Sequence, residues 1–343
     1  MRKLNIAAPF CSADEVGPLI DAGADELYCG YLDSEWIRRF SPLEFERKGG
    51  EGSNFLGLDL LRKAVRRARR HNVPVALALN GLYVGQQHPL LRKIIGRVEQ
   101  SGVDAFIVAD LGVLLALSEA KTTKRLFIST GGTVFNSAAV SFYEQFRVSR
   151  VVLDRQVPLA DASRIASLHP GIEFEVFILN TLCVYIYGFC TYLHAYTTNA
   201  RRQTLKKGKH LEFVTTYDSF SMDACGMDYR VTVLAPPGKR KQDARPRFFK
   251  RMVDGAECGV CALYDLVRSP VRTVKIVGRQ LDPAVRLKST RLVRSCLDIL
   301  EKEPAISRGE YNRRAQELYR SSYGYKKACS GNNCYHPQVL KAS

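Results

Sequence analysis

Short apolar runs recur along the chain about every 25 residues, and most stretches between them carry apolar positions at helical rather than alternating spacing. LNIAA (4–8) and ELYC (26–29) read as strands flanking a helical segment, SADEVGPLIDAGA, with Ser12 as its N-cap. The rhythm continues through strand VALALN (75–80) and helix HPLLRKIIGRVEQSG, then strand AFIVAD (105–110) and helix LGVLLALSEA. Strand RLFIST (125–130) precedes helix NSAAVSFYEQF, and strand RVVLD (150–154) precedes helix PLADASRIASLH. EFEVFIL (173–179) and TVKIVG (273–278) bring the strands to eight, the last followed by the long helical pattern DPAVRLKSTRLVRSCLDILEK.

Strands built mostly of Val, Ile, Leu, Phe and Ala, separated by helices, fit a parallel sheet covered on both faces. Eight of them predict an α/β fold of the closed (β/α)8 TIM type. An open doubly wound sheet is the weaker reading, since no G-x-G-x-x-G follows the first strand. The pattern divides the chain into seven βα strands over 1–179, a long cysteine-rich insertion at 180–270, an eighth strand and closing helix at 271–304, and a C-terminal extension at 305–343. Barrel sites lie at the carboxyl ends of strands, so Asn80, Asp110, Ser129, Thr130, Asp154 and Arg155 are expected around one mouth. Taken singly, Asp110, Ser129 and Thr130 read first as caps of the following helices. Asn80, Asp154 and Arg155 are the catalytic candidates. The Arg155 guanidinium fork suits a carboxylate or phosphate, and its bland alternative is an ion pair with Asp154 or a neighbour.

Of 343 residues 46% are apolar, enough for a substantial core, and no apolar run approaches a membrane span. Lys and Arg number 51 against 34 Asp and Glu, a formal charge of +17 that favours a polyanionic partner or a small acidic ligand. Three stretches hold much of it: 62–70 (RKAVRRARR), spaced as a solvated helix face, 201–209 (RRQTLKKGK) and 239–251 (KRKQDARPRFFKR). The last sets Phe248 and Phe249 among its charges, as a surface that tracks phosphates and stacks bases would, and a flexible basic loop reads equally well.

Ten cysteines is a high count. No secretory signal is visible in the opening MRKLNIAAPFCSADE, so a cytoplasmic location is expected, where metal or redox chemistry is the better default for thiols than disulfides. Cys183, Cys190, Cys225, Cys258 and Cys261 all fall in the 180–270 insertion. Four-thiolate sites serve both zinc and iron–sulfur clusters. A zinc ribbon wants two tight C-x-x-C pairs, and only Cys258 with Cys261 supplies one, which tilts the reading toward a cluster. Cys11, Cys29 and Cys296 read as packing, while Cys329 and Cys334, with His336 two residues on, make a weaker second metal candidate.

Several segments, by their order and spacing, resemble those of peptidase family U32, the collagenase-like peptidases: APF near the start, AGADELYCG, VALALN, GVDAFIVADLGV, RVVLDRQVPL, FEVFILNTLCVYIYGFC and SPVRTVKIVGR. The resemblance runs from about residue 4 to residue 300. It implies a barrel carrying a 4Fe-4S cluster on four cysteines, and an activity like that of members that hydroxylate ubiquinone precursors or RNA pyrimidines without oxygen. Carried over residue by residue, the cluster ligands are Cys183, Cys190, Cys225 and Cys258, with Cys261 in reserve. Departures from the family pattern are Gln156 for Glu after the arginine, Leu179-Asn180 for His-Gly, Tyr187-Gly188 for Ser-Gly, and Val277 for the Glu of KIEGR. They remove two carboxylates and a histidine from the acid–base candidates.

The leading expectation is an iron–sulfur hydroxylase acting on an RNA base or a small aromatic substrate, with RNA or an anionic small molecule as partner. Against it stand a collagenase-like peptidase, for which the six histidines supply no H-E-x-x-H pattern, and a non-catalytic cluster-bearing subunit paired with a homologous protein.

Overall fold

The computed structural model describes residues 3–40, 45, 51–181, 183, 186–190, 257–324 and 334–340, and strand backbone at 201–207, 210–216, 229–231 and 247–249. Eight parallel strands close into a barrel: β1 (Asn5–Pro9), β2 (Glu26–Gly30), β3 (Val75–Leu79), β4 (Ala105–Val108), β5 (Arg125–Ile128), β6 (Arg150–Val152), β7 (Glu173–Leu179) and β8 (Thr273–Ile276). Each pairs with its sequence neighbour, and β8 closes the ring against β1. The helices are α1 (Val16–Asp21), α2 (Ser34–Arg39), α3 (Leu58–Arg70), α4 (His88–Glu99), α5 (Leu111–Glu119), α6 (Ser137–Glu144), α7 (Leu159–Leu168), α8 (Leu263–Leu266), α9 (Pro283–Lys302) and α10 (Arg308–Tyr323). The fold is thus the TIM-type barrel that the apolar rhythm predicts. Among the described residues no helix is long and apolar enough to cross a membrane.

Local chemistry sets most helix starts. Asp33, Asp110, Asn136, Asp282 and Ser307 each accept a first-turn amide at the N-cap of α2, α5, α6, α9 and α10. Ser12 does not cap: its hydroxyl makes no such bond, and the segment opens instead as a 3-10 turn at Ala13–Glu15. Glu15, held by Arg286 at 2.7 Å, turns its other oxygen to the Cys11 amide at 3.1 Å, ahead of the turn, and its side chain does not cap α1. The basic stretch 62–70 lies in α3, which buries Leu61, Ala64, Val65 and Ala68 and leaves Lys63, Arg66, Arg69 and Arg70 exposed.

The chain divides into two compact units, one of residues 1–190 with 254–343 and one of Thr191–Val253. In the smaller, Arg201–Lys207 pairs antiparallel with His210–Thr216, and Tyr229–Val231 with Arg247–Phe249. Cys225, Cys329 and positions 239–246 lie outside the described residues. In the larger unit, the returning chain docks on β7 through a Leu179–Cys258 bridge and a Gly259 amide bond to the Ile178 carbonyl at 2.7 Å. The C-terminal segment 334–340 then adds to that edge, with Cys334 bridging Cys258 and the Tyr335 amide on the Cys258 carbonyl at 2.9 Å.

Side chains alternate between the helix-facing core and the barrel interior. The amino-terminal end of the interior is charged. Arg150, 1% exposed, bonds Glu26 through two nitrogens at 2.5 and 2.7 Å, Glu173 at 2.7 and 3.0 Å and Glu175 at 3.0 Å, with the Phe127 ring 4.4 Å from its guanidinium carbon. Glu175 uses its other oxygen to hold Lys275 at 2.7 Å, and the Lys275 ammonium lies 4.0 Å over the Tyr28 ring. Ala76, Ala105 and Ile107 pack beside Tyr28 and Phe127 and leave room for this column. Toward the carboxyl end, Val152, Phe177, Val277 and Tyr335 form an apolar layer, so the C-terminal segment contributes a side chain to the barrel's upper interior.

Candidate active site

A cavity of about 70 Å³ opens at the carboxyl end of the strands, with Lys275 and Tyr28 among its lining residues together with Asn80, Arg155, Tyr187 and Arg279. Among the described residues, no carboxylate, histidine or thiol lines it. Arg155 is its most unusual member. It is 7% exposed, its guanidinium is sandwiched between the rings of Phe177 at 4.1 Å and Tyr187 at 4.5 Å, and its Nη2 bonds the Tyr187 hydroxyl at 3.3 Å. Nε and Nη1 are buried and have no hydrogen-bond partner. Leaving charged donors unpaired in a dry site is costly, so such a group marks a place where a ligand or water supplies the missing acceptors.

Neighbouring turns fix Arg155 in place. Asp154, two residues after β6, points its carboxylate at backbone, accepting from the Gln156 amide at 3.1 Å and the Tyr187 amide at 3.4 Å. It therefore shapes the loop that carries Arg155 and Tyr187 and makes no ion pair with Arg155 among the described residues. Gly188 lets that loop press on the turn after β5, because a Cβ there would overlap Thr133 Cγ2 and stand 2.8 Å from the Gly131 carbonyl. Tyr335 reaches in from the C-terminal segment toward the Arg155 side chain, and its hydroxyl donates to the Asn180 carbonyl. Across the mouth, Arg279 is placed by Asn54 Oδ1 at 3.3 Å, and Gly30 provides the space, since a Cβ there would overlap both groups.

The structure gathers Asn80, Ser129, Thr130 and Arg155 at one cavity; Asp110 caps α5 as expected, whereas Ser129 caps only the 3-10 turn Thr130–Gly132 and α6 is capped by Asn136 rather than by Ser129 or Thr130. Asp110 accepts from the Val113 amide at 2.9 Å and the Tyr83 amide at 3.1 Å, and does not line the cavity. Lys275, Arg279, Tyr28 and Tyr187 are members that motif reading did not single out. Lys275 and Arg279 stand in the KIVGR segment, and their presence on and just after a barrel strand was the available signal.

Of the cysteines carried over as cluster ligands, Cys183 is buried, Cys190 is partly exposed after the Tyr187–Phe189 turn, and Cys258 packs in the helix-facing core with Cys261 and Tyr311. Among the described residues, no three His, Cys, Asp or Glu side chains stand close enough together to hold a metal ion. The described residues alone therefore do not supply the four-thiolate site. Cys29 and Cys296 are core residues, as read from their apolar surroundings.

Away from the mouth, a second constellation joins α6 to the end of α7. Ser137 Oγ lies 2.6 Å from His169 Nε2, and His169 Nδ1 lies 3.1 Å from Glu144 Oε1. Hydroxyl, imidazole and carboxylate in that order are the parts of a serine hydrolase triad.

Fold and site together define a (β/α)8 barrel protein with a small cationic cavity at the carboxyl ends of its strands. The chain belongs to peptidase family U32, whose model matches residues 12–337. It is similar to the tRNA hydroxylation protein P of Helicobacter pylori, 24% identical over 190 residues that cover 55% of this chain and 42% of that protein. It also resembles an uncharacterized protease of Methanocaldococcus jannaschii, 29% identical over 175 residues, 50% of this chain and 39% of that protein. The matches thus span less than half the length of these relatives. A solved U32 peptidase superposes with a TM-score of 0.40 at 13% identity, over 52% of this chain and 70% of its own.

Proposed function

We propose that this chain acts in hydroxylation of an RNA base, with a small anionic co-substrate held at the barrel mouth by Arg155. The observation that carries the reading is the buried guanidinium with two unpaired nitrogens in a cavity with no acid among its described lining residues. A carboxylate or phosphate there gains two charge-assisted bonds and relieves the unpaired donors at once. Support for RNA comes from the tRNA hydroxylation proteins among the relatives and from the +17 charge. RNA contact through 201–209 and 239–251 belongs to the same proposal. If phosphates are touched there, the logarithmic salt slope of binding is roughly −0.7 per contact, and neutralising Lys239, Arg240 and Lys241 together flattens it.

The 4Fe-4S cluster of the resemblance is a separate proposal, on Cys183, Cys190, Cys225 and Cys258, and no step here passes through it. Iron and sulfide analysis of anaerobically purified protein tests it; full iron content in Cys190→Ala removes that ligand set. For the hydroxylation reading, nucleosides from tRNA of cells deleted for this protein are compared by mass spectrometry after complementation. Wild type restores a hydroxylated pyrimidine and Arg155→Lys, which keeps the charge but loses the fork, restores less. Failure of the wild type to change any nucleoside rejects the reading.

The Ser137–His169–Glu144 geometry favours a hydrolase as the second reading. A fluorophosphonate probe labels Ser137 in wild type and not in His169→Gln if the three act as a unit; absence of label in wild type disposes of it.

A further inference from the structure

We propose that Lys275 is a covalent catalytic residue that forms an imine with the carbonyl of a small compound bearing an anionic group. Four features converge on it. First, Lys275 is on β8, 7% exposed, and among the lining residues of the mouth cavity, where barrel chemistry is done. Second, Glu175 accepts its proton-bearing nitrogen at 2.7 Å and is itself 1% exposed, so a proton leaving the ammonium has a fixed acceptor. Third, Arg150 claims the other Glu175 oxygen at 3.0 Å, which weakens the hold of that carboxylate on Lys275. Fourth, the Arg155 fork with its unpaired nitrogens lines the same cavity, placed to hold an anionic group while the carbonyl meets the amine.

Burial keeps the Lys275 pKa below that of an ordinary lysine, and the Arg150 charge pushes the same way against the opposing pull of Glu175. A desolvated lysine beside another cation is a recurrent form of activated amine. In the step itself, the neutral amine lone pair attacks the carbonyl carbon to give a carbinolamine. The carbonyl oxygen then leaves as water, taking protons that Lys275 and Glu175 supply. Nothing is oxidised or reduced. The iminium that results keeps one positive charge opposite Glu175, so the charge balance among Glu175, Glu26, Glu173 and Arg150 is the same after the step as before it. A purely structural ion pair explains the Glu175 contact equally well, but it does not explain why the ammonium borders a cavity that also holds unpaired guanidinium nitrogens.

The lysine assignment stands without the RNA reading; only the anionic anchor rests on the proposed role of Arg155. Pyruvate with sodium cyanoborohydride is the probe, followed by intact-mass measurement and peptide mapping. The expected result is a saturable single adduct on Lys275, missing in Lys275→Arg, which retains the charge facing Glu175. Glu175→Gln forms the adduct about 100-fold more slowly, the scale of a lost proton acceptor. Arg155→Lys raises the half-saturating pyruvate concentration about tenfold or more. An Arg155→Lys curve that matches wild type defeats the Arg155 anchor while the adduct upholds Lys275. Absence of an adduct at Lys275, labelling spread over surface lysines, or the same adduct yield in Lys275→Arg overturns the proposal.

Discussion

Arg150→Met removes the cation shared by the buried Glu26 and Glu175 and the partly exposed Glu173. The side chain is 1% exposed and makes five hydrogen bonds to Glu26, Glu173 and Glu175. Glu173 keeps Arg125 at 2.7 Å and Glu175 keeps Lys275, but Glu26 loses both of its contacts to a guanidinium. Breaking a buried charge network by deleting one partner costs about 3–5 kcal/mol, because the surviving charge stays dry and unpaired. Urea unfolding at pH 7 should therefore lose about that much stability, read from the midpoint at unchanged slope. The pH dependence supplies the sharper check. Burial alone would push Glu175 up, yet Lys275 and Arg150 outweigh it and hold the carboxyl below the usual range. In wild type this stabilisation is present above about pH 4.3 and is lost as pH falls through the lower folded value. Without Arg150 burial favours the protonated carboxyls, the folded state takes up protons more readily than the unfolded chain, and stability relative to wild type recovers between pH 7 and 5. Pairing Arg150→Met with Glu26→Met should regain a good part of the loss. A cost under about 1 kcal/mol, or parallel pH curves for variant and wild type, refutes the view that this column is a coupled charge network.

Gly188→Ala should force the Tyr187 loop off the turn after β5, costing about 1–3 kcal/mol in thermal or urea unfolding and weakening capture of anions by Arg155. Asp110→Ala removes the α5 cap and the Tyr83 amide contact, with an expected loss of about 0.5–2 kcal/mol by urea titration and no change in Lys275 labelling. Burial holds His336 down at about 4, with its Nε2 3.1 Å from the Phe177 carbonyl. The unfolded chain takes the proton first as pH falls from about 6.5 to 4, so wild type should lose about 3 kcal/mol over that window and His336→Gln should lack this component, measured by urea midpoints at each pH.

The barrel was legible because its eight strands are mostly short apolar runs recurring between helical segments, the signature of a parallel sheet covered on both faces. Arg155 was legible for a positional reason: a charged residue immediately after a strand must sit at the mouth. The charged column was not. Glu173 and Glu175 alternate with Phe174 and Val176 in EFEVFIL, a pattern that normally marks a strand with one wet face. Here the polar face turns into the barrel, and the cation that makes this tolerable, Arg150, comes from β6, while Glu26 lies 124 residues from it in sequence. Such long-range pairing leaves no local trace. Tyr335 was invisible for a related reason, since nothing near CYHP indicates that the ring would cross the β7 edge and join Val152 and Val277. Ser12 shows the reverse error, a residue type favoured at N-caps whose hydroxyl caps nothing here, the segment opening as a 3-10 turn.

The Tyr335 contact also sets a timetable for synthesis. Arg155 and the strand before it emerge from the ribosome 180 residues ahead of the tyrosine that reaches in beside it, a delay of roughly 10–40 s at ordinary elongation rates. Throughout that interval the nascent barrel lacks the aromatic ring that completes its upper interior and the segment whose Cys334 bridges Cys258. The mouth is consequently among the last parts of the chain to be finished, and a ribosome paused before residue 335 would display an open, cation-lined barrel to whatever anions or chaperones surround it.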